Sequence, residues 1–522
     1  MREVTHDVGF GNRKEVMVMG VLKRIGILAA VLAVGILGLA ACPPGSINLG
    51  NGANYGAAAP APIIWSGVGG VYNIAAPGTY CVPAGGIALG VFDPDGAGGL
   101  PAVTDYVITS NDVVIVGETP DATITGDGDG DAIITVNAGL LNVVLRSFRI
   151  LTGAAGGAGD NGVNDLGAYQ LLIDGVTFDD GGVVANAFAA YAVQLTGYQP
   201  EVRNCTFRMT ISSAIPAIQL AGGMDALIHD NEVIGAGFPP APASFVYVAV
   251  NYNGLQVYNN TANMIGNLVV GAPTFFLGGT LTNAVIRDNT ATIYGSTFGW
   301  KTAGIFVEGA NIEITGNNLR VGNYEPLGVP GVGALIATTG TNVLISGNTL
   351  DASLGLDNYT AAPGPAAICG AIATVGTNTI ISDNHIVGVK NGPAISIYNV
   401  PAFGLAGINA VITGNTIENV VDPFVYDPFT GVGGATFDYD GDVQSEGAVI
   451  YTTAINTTIR NNTIDGVSGA DAHGILLAAG NARVIGNIIR NVDDGVGIFV
   501  MGTINNDCLL YTSDAADDGE SV

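Results

Sequence analysis

Short runs of this chain alternate between aliphatic and polar residues. In Ile312-Glu313-Ile314 the two aliphatic side chains share one face and the carboxylate takes the other, which is the period-two pattern of a half-buried strand. Val411-Ile412-Thr413 and Thr457-Thr458-Ile459-Arg460 follow the same pattern. Glycine, 78 of the 522 residues, separates the runs together with Pro, Asn and Asp, so turns are frequent. The pattern predicts many short strands and no amphipathic helix within the repeats.

A phrase of four residues accompanies these strands: a small or polar residue, Asn, a polar residue and an aliphatic residue. Its spacing is mostly close to 29 residues, and earlier units carry Phe148, Val176 and Cys205 in the Asn position. About twelve units therefore span roughly residues 145–490. The Asn positions are Asn231, Asn260, Asn289, Asn317, Asn348, Asn384, Asn415, Asn462 and Asn487.

The length of the unit selects the fold. It lacks the leucine frame of a leucine-rich repeat and is shorter than the about 40–45 residues of a propeller blade. One coil of a parallel β-helix, with three short strands and three turns, fits it. We expect each Asn to lie in a turn, because Asn tolerates the αL conformation. Stacked Asn side chains would form a ladder, and the aliphatic residue two positions later would enter the core. The predicted fold is all-β, a right-handed parallel β-helix (solenoid) of about 12 or more coils.

The repeat resembles a known family. Phrases such as Gly347-Asn348-Thr349-Leu350 and Gly414-Asn415-Thr416-Ile417 look like those of right-handed parallel β-helix proteins of the pectate-lyase-like superfamily. Residues 106–115 and 122–126 resemble the entry coils of its NosD-like branch. The resemblance covers roughly residues 70–505 and implies the fold. It leaves function open, since the superfamily includes lyases, hydrolases, epimerases and non-catalytic binders. The copper-related role associated with NosD-like proteins is not carried over, because no His or Met cluster is present.

The beginning of the chain has the pattern of an export signal. Lys23-Arg24 precede an apolar run that ends in Leu39-Ala40-Ala41-Cys42, which is typical of a signal peptide. Leu-Ala-Ala-Cys resembles the bacterial lipobox, and the resemblance implies that Cys42 is lipidated; an ordinary cleavage site with a chance Cys is the alternative. We therefore predict a signal peptide with lipobox over residues 1–41 and a Pro-, Gly- and Ala-rich linker over residues 42–65.

The end of the chain departs from the repeat. Residues 508–522 contain an acidic stretch with no repeat pattern and resemble a translated sequencing adapter, although a genuine acidic tail is the alternative. The predicted domains are accordingly a β-helix over residues 66–507, interpreted as truncated, and a non-native tail over 508–522.

Charge and cysteine content limit the partners. The formal net charge of −28 argues against nucleic acid, and it disfavours a bare site for polyuronates unless calcium bridges the like charges. The five cysteines include no CxxC pair, so a zinc site is not expected. Cys205 occupies a repeat position and is predicted to be an inert buried thiol.

Acidic loops are the candidate metal sites. Asp438, Asp440 and Asp442 alternate within the longest step between repeats, from Asn415 to Asn462, and hard carboxylates in this arrangement suit calcium; a solvated loop is the alternative. The segment Asp127-Gly128-Asp129-Gly130-Asp131 has the same alternation but is bracketed by strand-like runs, which favours a tight turn between two strands. The segment from Asp93 to Gly96 is a weaker match.

Catalytic groups are less well supported. Asp493-Asp494 invites comparison with glycosidases, which need two carboxylates about 6.5–9.5 Å apart for inversion, but adjacent residues on a strand point to opposite faces. His473, two residues after Asp471, is interpreted as part of a surface turn. Arg203, Arg287 and Arg460 recur at similar places in their units and are predicted to stack on one solvent-facing side.

The sequence therefore predicts an extracytoplasmic, lipid-anchored β-helix of the cell envelope that acts as a non-catalytic binding or structural module, with polysaccharide as the expected ligand. A polysaccharide lyase or glycoside hydrolase is the alternative. Three or more carboxylates, or carboxylates with Arg, converging in a groove on one outer face would favour the enzyme.

Overall fold

Every secondary-structure element in the described part of the chain is a β-strand. The computed structural model describes residues 42–43, 46–49, 71–89, 104–153, 160–181, 188–210, 216–236, 244–265, 267–271, 280–293, 302–322, 332–354, 370–390, 392–399, 407–423, 447–469, 472–478, 480–493, 495–500 and 507–509. Among these residues, no helix is long and apolar enough to cross a membrane. Each strand pairs in parallel with its counterpart in the next coil, as Ile312 does with Val343. The predicted parallel β-helix is confirmed.

The larger sheet has 30 strands arranged in two columns. The first column contains β2 (Val71–Ile74), β5 (Asp105–Ile108), β8 (Ala132–Val136), β11 (Asn161–Asp165), β14 (Val193–Leu195), β17 (Ile218–Leu220), β20 (Ser244–Val248), β24 (Asn267–Gly271), β31 (Gly370–Thr377), β34 (Ile395–Ile397), β37 (Gly447–Thr452), β40 (Ala472–Leu477) and β43 (Ile498–Val500). The second contains β1 (Ile47–Asn48), β3 (Gly78–Val82), β6 (Val113–Gly117), β9 (Val144–Arg146), β12 (Leu172–Asp174), β15 (Glu201–Arg203), β18 (Leu227–His229), β21 (Tyr252–Asn253), β22 (Gln256–Tyr258), β25 (Leu281–Arg287), β32 (Ile380–Ser382), β35 (Val411–Thr413), β38 (Thr458–Arg460), β41 (Arg483–Ile485) and β44 (Asp507–Leu509). Two long strands, β27 (Thr302–Thr315) and β29 (Val332–Ser346), run through both columns.

The smaller sheet forms the third side and has 14 strands. They are β4 (Ile87–Ala88), β7 (Thr123–Thr125), β10 (Arg149–Leu151), β13 (Thr177–Asp179), β16 (Thr206–Thr210), β19 (Glu232–Ala236), β23 (Thr261–Ile265), β26 (Thr290–Ile293), β28 (Asn318–Val321), β30 (Thr349–Asp351), β33 (His385–Val387), β36 (Thr416–Val421), β39 (Thr463–Ser468) and β42 (Ile488–Val492). The inward residues of all three sides form one buried core that extends from Ile47 to Val484.

The repeated Asn residues form the predicted ladder beside this core. From Asn231 to Asn487 they are at most 2% exposed. Each Nδ2 donates to the Oδ1 of the Asn in the next coil at 2.9–3.0 Å. The same Oδ1 accepts the backbone N–H of the preceding Asn at 2.9–3.1 Å. These hydrogen bonds satisfy the buried amide groups, which would otherwise destabilise the fold.

The expectation that this Asn itself adopts αL is wrong. The left-handed residue is the one before it, for example Asp288 (φ 56°), Gly316 (φ 66°) and Asp383 (φ 56°). The chain turns at that preceding residue, which leaves the Asn side chain pointing inward to reach its neighbours. Gly, Asn and Asp tolerate αL better than other residues, which explains the small or polar residue that opens the phrase.

A second Asn ladder, which the sequence reasoning missed, follows an exposed corner. Its members lie six positions before a buried Asn and have φ of 54–61°. Each Nδ2 donates to an Asn Oδ1 of the preceding coil at 2.8–3.3 Å. The members are Asn283, Asn311, Asn342, Asn378, Asn409, Asn456 and Asn481. The constant spacing of these residues before each buried Asn could have revealed the second ladder from the sequence.

Candidate functional site

The acidic segment Asp127–Asp131 joins β7 to β8, as predicted for a turn between two strands. Gly128 (φ 84°) and Gly130 (φ 95°) take the left-handed conformations that this path requires. The Oδ1 atom of Asp127 accepts the backbone N–H of Asp129 at 3.3 Å, and the Oδ1 atom of Asp129 accepts that of Asp131 at 2.9 Å. Each of these two carboxylates therefore accepts a hydrogen bond from the backbone two residues later in the chain. These local turns explain why Asp and Gly alternate in this segment.

Asp160 fixes this segment from the neighbouring coil. Its side chain is 1% exposed, and its carboxylate accepts the backbone N–H groups of Gly128 at 2.9 Å and Gly153 at 2.9 Å. The ideal Cβ position of Gly126 would lie 1.8 Å from the Oδ2 atom of Asp160, so only glycine fits there. A buried carboxylate thus orders the backbone that carries the exposed ones.

Five aspartates converge at this place. Carboxylate oxygens of Asp105, Asp129 and Asp131 lie within 4.8 Å of one another, and those of Asp127, Asp129 and Asp160 do so as well. Burial, followed by the charge of Asp129, raises the pKa of Asp105 to about 7. The same two causes raise the pKa of Asp127 to about 6. Asp129 belongs to both groups and is the centre of the cluster.

These distances suit a shared cation better than a pair of glycosidase acids. Oxygen ligands of calcium lie about 2.3–2.6 Å from the ion, so the ligands of one ion lie within about 5 Å of one another. Glycosidase carboxyl groups lie about 5–5.5 Å apart for retention and about 6.5–9.5 Å apart for inversion. The cluster is nevertheless a convergence of carboxylates of the kind that the enzymatic alternative requires.

A row of polar side chains continues from the cluster along the outer face of the first column. Asp105 lies on β5 two residues before Val107, whose register partner in β8 is Thr135. Thr135 aligns in turn with one residue from each following strand, and all of them are half-buried. We call these residues the amide row: Thr135, Asn164, Gln194, Gln219 and Tyr247.

The amide row has hydrogen-bonding capacity left over. The Nε2 atom of Gln194 donates to the Oε1 atom of Gln219 at 3.1 Å. The Oδ1 atom of Asn164 is buried and accepts no hydrogen bond from the described residues. An unsatisfied buried acceptor is unfavourable by about 1–3 kcal/mol, whereas the half-buried side chains of the row still expose polar atoms to solvent.

The second column carries a charged network on its outer face that the sequence indicated only in part. The expected stacking of Arg203 and Arg287 is confirmed: their register is continuous through His229 and Tyr258, and it reaches Arg460 further along. Arg287 lies 4.5 Å from the centre of the Tyr258 ring, and that ring is stacked on His229 at 4.6 Å.

Salt bridges extend this network towards the beginning of the chain. The Nη2 atoms of Arg146 and Arg203 approach the Oδ2 atom of Asp174 at 2.9 and 3.2 Å. Although burial opposes the charged form, hydrogen bonds from Arg203 and Asn204 hold the pKa of Asp174 below its usual value. The charges of this network are mutually neutralised, unlike those of the acidic cluster.

The other predicted site residues are dispersed. Asp438, Asp440 and Asp442 lie outside the described residues, as do Asp494 and the segment from Asp93 to Gly96. Asp493 is exposed at the end of β42. The surface turn expected at His473 is wrong: it is 6% exposed, lies within β40 and stacks on Phe499 at 4.6 Å, because the chain there forms a strand covered by its neighbour.

The predicted inert thiol is confirmed. Cys205 is a free cysteine that is 1% exposed, and burial raises the pKa of its thiol to about 12. A buried thiol with a raised pKa supplies little thiolate at neutral pH and is a poor nucleophile.

Solved structures match this chain at low sequence identity. No protein-family model and no curated protein matches the chain. The A-module of mannuronan C-5 epimerase AlgE6 from Azotobacter vinelandii is 12% identical over 84% of this chain and 91% of its own, with a TM-score of 0.32. A tailspike protein mutant of E. coli bacteriophage HK620, in complex with a hexasaccharide, is 15% identical over 81% and 71%, with a TM-score of 0.45. DFA-IIIase from Arthrobacter chlorophenolicus A6 is 13% identical over 78% and 83%, with a TM-score of 0.36. The fold assignment itself rests on the parallel strand pairing of this chain.

Proposed function

We propose that this chain is an exported β-helix that binds an extended polysaccharide along the amide row without cleaving it. The observation that carries the proposal is the continuous, half-buried row of polar side chains from Thr135 to Tyr247 on the outer face of the first column. Successive coils place these groups about 4.8 Å apart. A polymer rich in hydroxyl groups offers donors and acceptors repeatedly along its length and therefore complements such a row.

The acidic cluster adds a second component to this proposal. We place calcium between Asp105, Asp129 and Asp131, at the end of the amide row, where it would neutralise carboxylates and present open coordination positions to sugar hydroxyl or carboxylate groups. Acidic polysaccharides would then bind only with calcium, since the net charge of −28 repels them otherwise. Neutral polysaccharides would bind with or without the ion.

The test uses the purified exported chain and a panel of neutral and acidic polysaccharides, each with and without calcium. Replacing both Gln194 and Gln219 by Ala removes two hydrogen-bonding side chains, so the Kd should rise about tenfold or more. Gln256→Ala is the matched control, because Gln256 is also half-buried and points outward, but on the second column. An equal loss in both variants would contradict the amide row as the binding surface.

A polysaccharide-acting enzyme is the second candidate, and the convergence of five aspartates favours it. With its pKa near 7, Asp105 could donate a proton at neutral pH while an ionised neighbour acts as base. The test measures the release of new sugar ends from each polymer of the panel. Release that the Asp105→Asn substitution abolishes would establish turnover and contradict the non-catalytic proposal. Binding without any released ends would support it.

A further inference from the structure

Cys42, the first cysteine of the sequence, lies against the first coils of the solenoid. The Cα atoms of Cys42 and Cys81 are 5.9 Å apart and the two sulfurs are bonded as a disulfide. Separations of about 4.4–6.8 Å are typical of disulfides. Cys81 lies in β3 and is fully buried, so Cys42 must approach the coil closely to reach it.

Hydrogen bonds hold the segment after Cys42 in this place. β1 pairs in parallel with β3, aligning Asn48 with Cys81, and the backbone N–H of Leu49 donates to the carbonyl of Cys81 at 2.8 Å. Ile47 and Leu49 are 6% and 1% exposed. Part of the predicted linker is therefore a packed strand that covers the edge of β3, an edge that would otherwise be open to pairing.

Two chemical fates of Cys42 exclude each other. Lipidation would join a diacylglyceryl carbon to the sulfur through a thioether, and that sulfur could then form no disulfide. Only residues 43–46 separate Cys42 from β1, and the backbone N–H of Ser46 donates to the carbonyl of Pro43 at 3.0 Å within that short connection. Moving the sulfur away from Cys81 towards a membrane would disturb the strand that covers β3.

We propose that Cys42 is the disulfide partner of Cys81 in the mature protein and closes the first coils, so that this residue is not a lipid anchor. The two thiols lose two protons and two electrons when the bond forms. An extracytoplasmic thiol–disulfide oxidoreductase in its disulfide form accepts both and becomes a dithiol. The proposal requires an oxidising compartment, in agreement with the predicted export, and it leaves the polysaccharide proposal untouched.

Peptide mapping of the chain, expressed with its own leader in a bacterium that processes lipoproteins, tests this directly. Digestion without reductant should yield a crosslinked peptide containing Cys42 and Cys81, two mass units lighter than the sum of the two separate peptides with reduced thiols. A diacylglyceryl group on Cys42 would overturn the proposal. Recovery of both cysteines as alkylated free thiols would overturn it as well.

Single and double variants provide a second readout. Cys42→Ser and Cys81→Ser should each lower the apparent Tm by about 5 °C or more, and the double variant should lower it no further, because all three lose the same bond. Reductant should bring the wild type to the Tm of the variants and leave the variants unchanged. If Cys42→Ser instead releases the protein from the membrane fraction while Cys81→Ser has no effect, Cys42 is the anchor and the proposal is wrong.

Discussion

Early and late coils have the same architecture but are held together by different side chains. In the early coils the repeat position is apolar: Phe148, Val176 and Cys205 are at most 1% exposed. In the late coils Asn occupies it, for example Asn317 and Asn348, each bonded to both neighbouring coils. A parallel solenoid can therefore be filled at this corner either by hydrophobic burial or by a ladder of amides.

The outer surface changes in the same direction along the chain. On the second column the early coils present Arg146, Asp174 and Arg203, which form salt bridges. At the same register the late coils present small hydroxyl residues such as Ser346 and Ser382, whose hydroxyl groups are 2.9 Å apart. The acidic cluster and the amide row also belong to early coils and their immediate neighbours. The candidate sites therefore lie in the less regular coils, and the regular late coils contain the long amide ladder.

The amide ladder has a consequence for register. Each buried Asn bonds to the Asn of the adjacent coil and to a backbone carbonyl, and a slip by one residue would turn the inward side chains outward. Apolar filling tolerates such a shift more easily, since hydrophobic contact is not directional. We therefore expect the late coils to specify their stacking more strictly than the early coils do.

The largest expected effect comes from breaking the buried ladder in the late coils. Asn348→Ala would leave the backbone N–H of Asn317 without its acceptor and would remove the hydrogen bonds that the Asn348 amide donates to the carbonyl of Ile314 and to Asn384. Buried unsatisfied groups are unfavourable by about 1–3 kcal/mol each, so the free energy of unfolding should fall by about 3–5 kcal/mol. Chemical denaturation followed by circular dichroism measures this.

Asn342→Gly is the matched control in the exposed ladder. It removes one amide from the corner but retains a residue that accepts φ of 56°. Because solvent replaces the lost hydrogen bonds, the change should stay below about 1 kcal/mol. Equal losses at positions 342 and 348 would mean that burial is not what makes the inner ladder important.

Transplanting Asn into the early coils sharpens the comparison. The Sγ atom of Cys205 already lies 3.6 Å from the carbonyl of Ile173, and its backbone N–H donates to the Oδ1 atom of Asn231. Cys205→Asn would extend the ladder by one coil, and stability should change by less than about 1 kcal/mol. Val176→Asn has no amide neighbour, because Phe148 and Cys205 flank it, and should cost about 2 kcal/mol. Equal thermal shifts for the two variants would contradict this account.

The sequence predicted the scaffold far better than the chemistry. Regular spacing of one residue type, as at Asn348, reports a constraint that every coil shares, so the period alone indicates the fold. The acidic cluster could be predicted only in part: Asp127, Asp129 and Asp131 lie close together in the sequence, but Asp105 and Asp160 join them from other coils. No local sequence pattern predicts that these five residues lie close together, because their proximity depends on the number of residues between the strands of each coil.

Calcium should distinguish the early coils by their acidic cluster. Without the ion, the raised pKa values of Asp105 and Asp127 mean that the folded state holds protons more tightly than the unfolded one. Stability should therefore fall as the pH rises from about 4 to 7. At pH 7.5, calcium at a hundred times its Kd should restore up to about 2.7 kcal/mol, measured as a rise in apparent Tm.

Two variants test whether calcium binds at the acidic cluster. Asp129 takes part in both carboxylate groups, so Asp129→Asn should abolish the response to calcium. Asp121 is exposed at the start of the same region and belongs to neither group, so Asp121→Asn should keep it. A response that survives Asp129→Asn would assign calcium to a different place, such as Asp438, Asp440 and Asp442.

The smallest expected effect concerns the charged network of the early coils. Burial opposes the charged form of His229, but hydrogen bonds with Glu201 and Asp230 outweigh it and raise the pKa of the imidazole. A raised folded pKa stabilises the protein fully below the unfolded value, about 6.5, and this contribution is lost as the pH rises through the folded pKa. His229→Phe keeps an aromatic ring stacked on Tyr258 but removes the charge, so it should flatten the pH dependence above pH 6 by less than about 1 kcal/mol. Apparent Tm values should be measured between pH 5 and 9 in the presence of calcium. The bound ion suppresses the titration of the acidic cluster, so the remaining pH dependence reports on His229. Asn342→Gly, which changes no titrating group, should leave the slope unchanged; an unaltered slope in His229→Phe would mean that the early network contributes no pH-dependent stability.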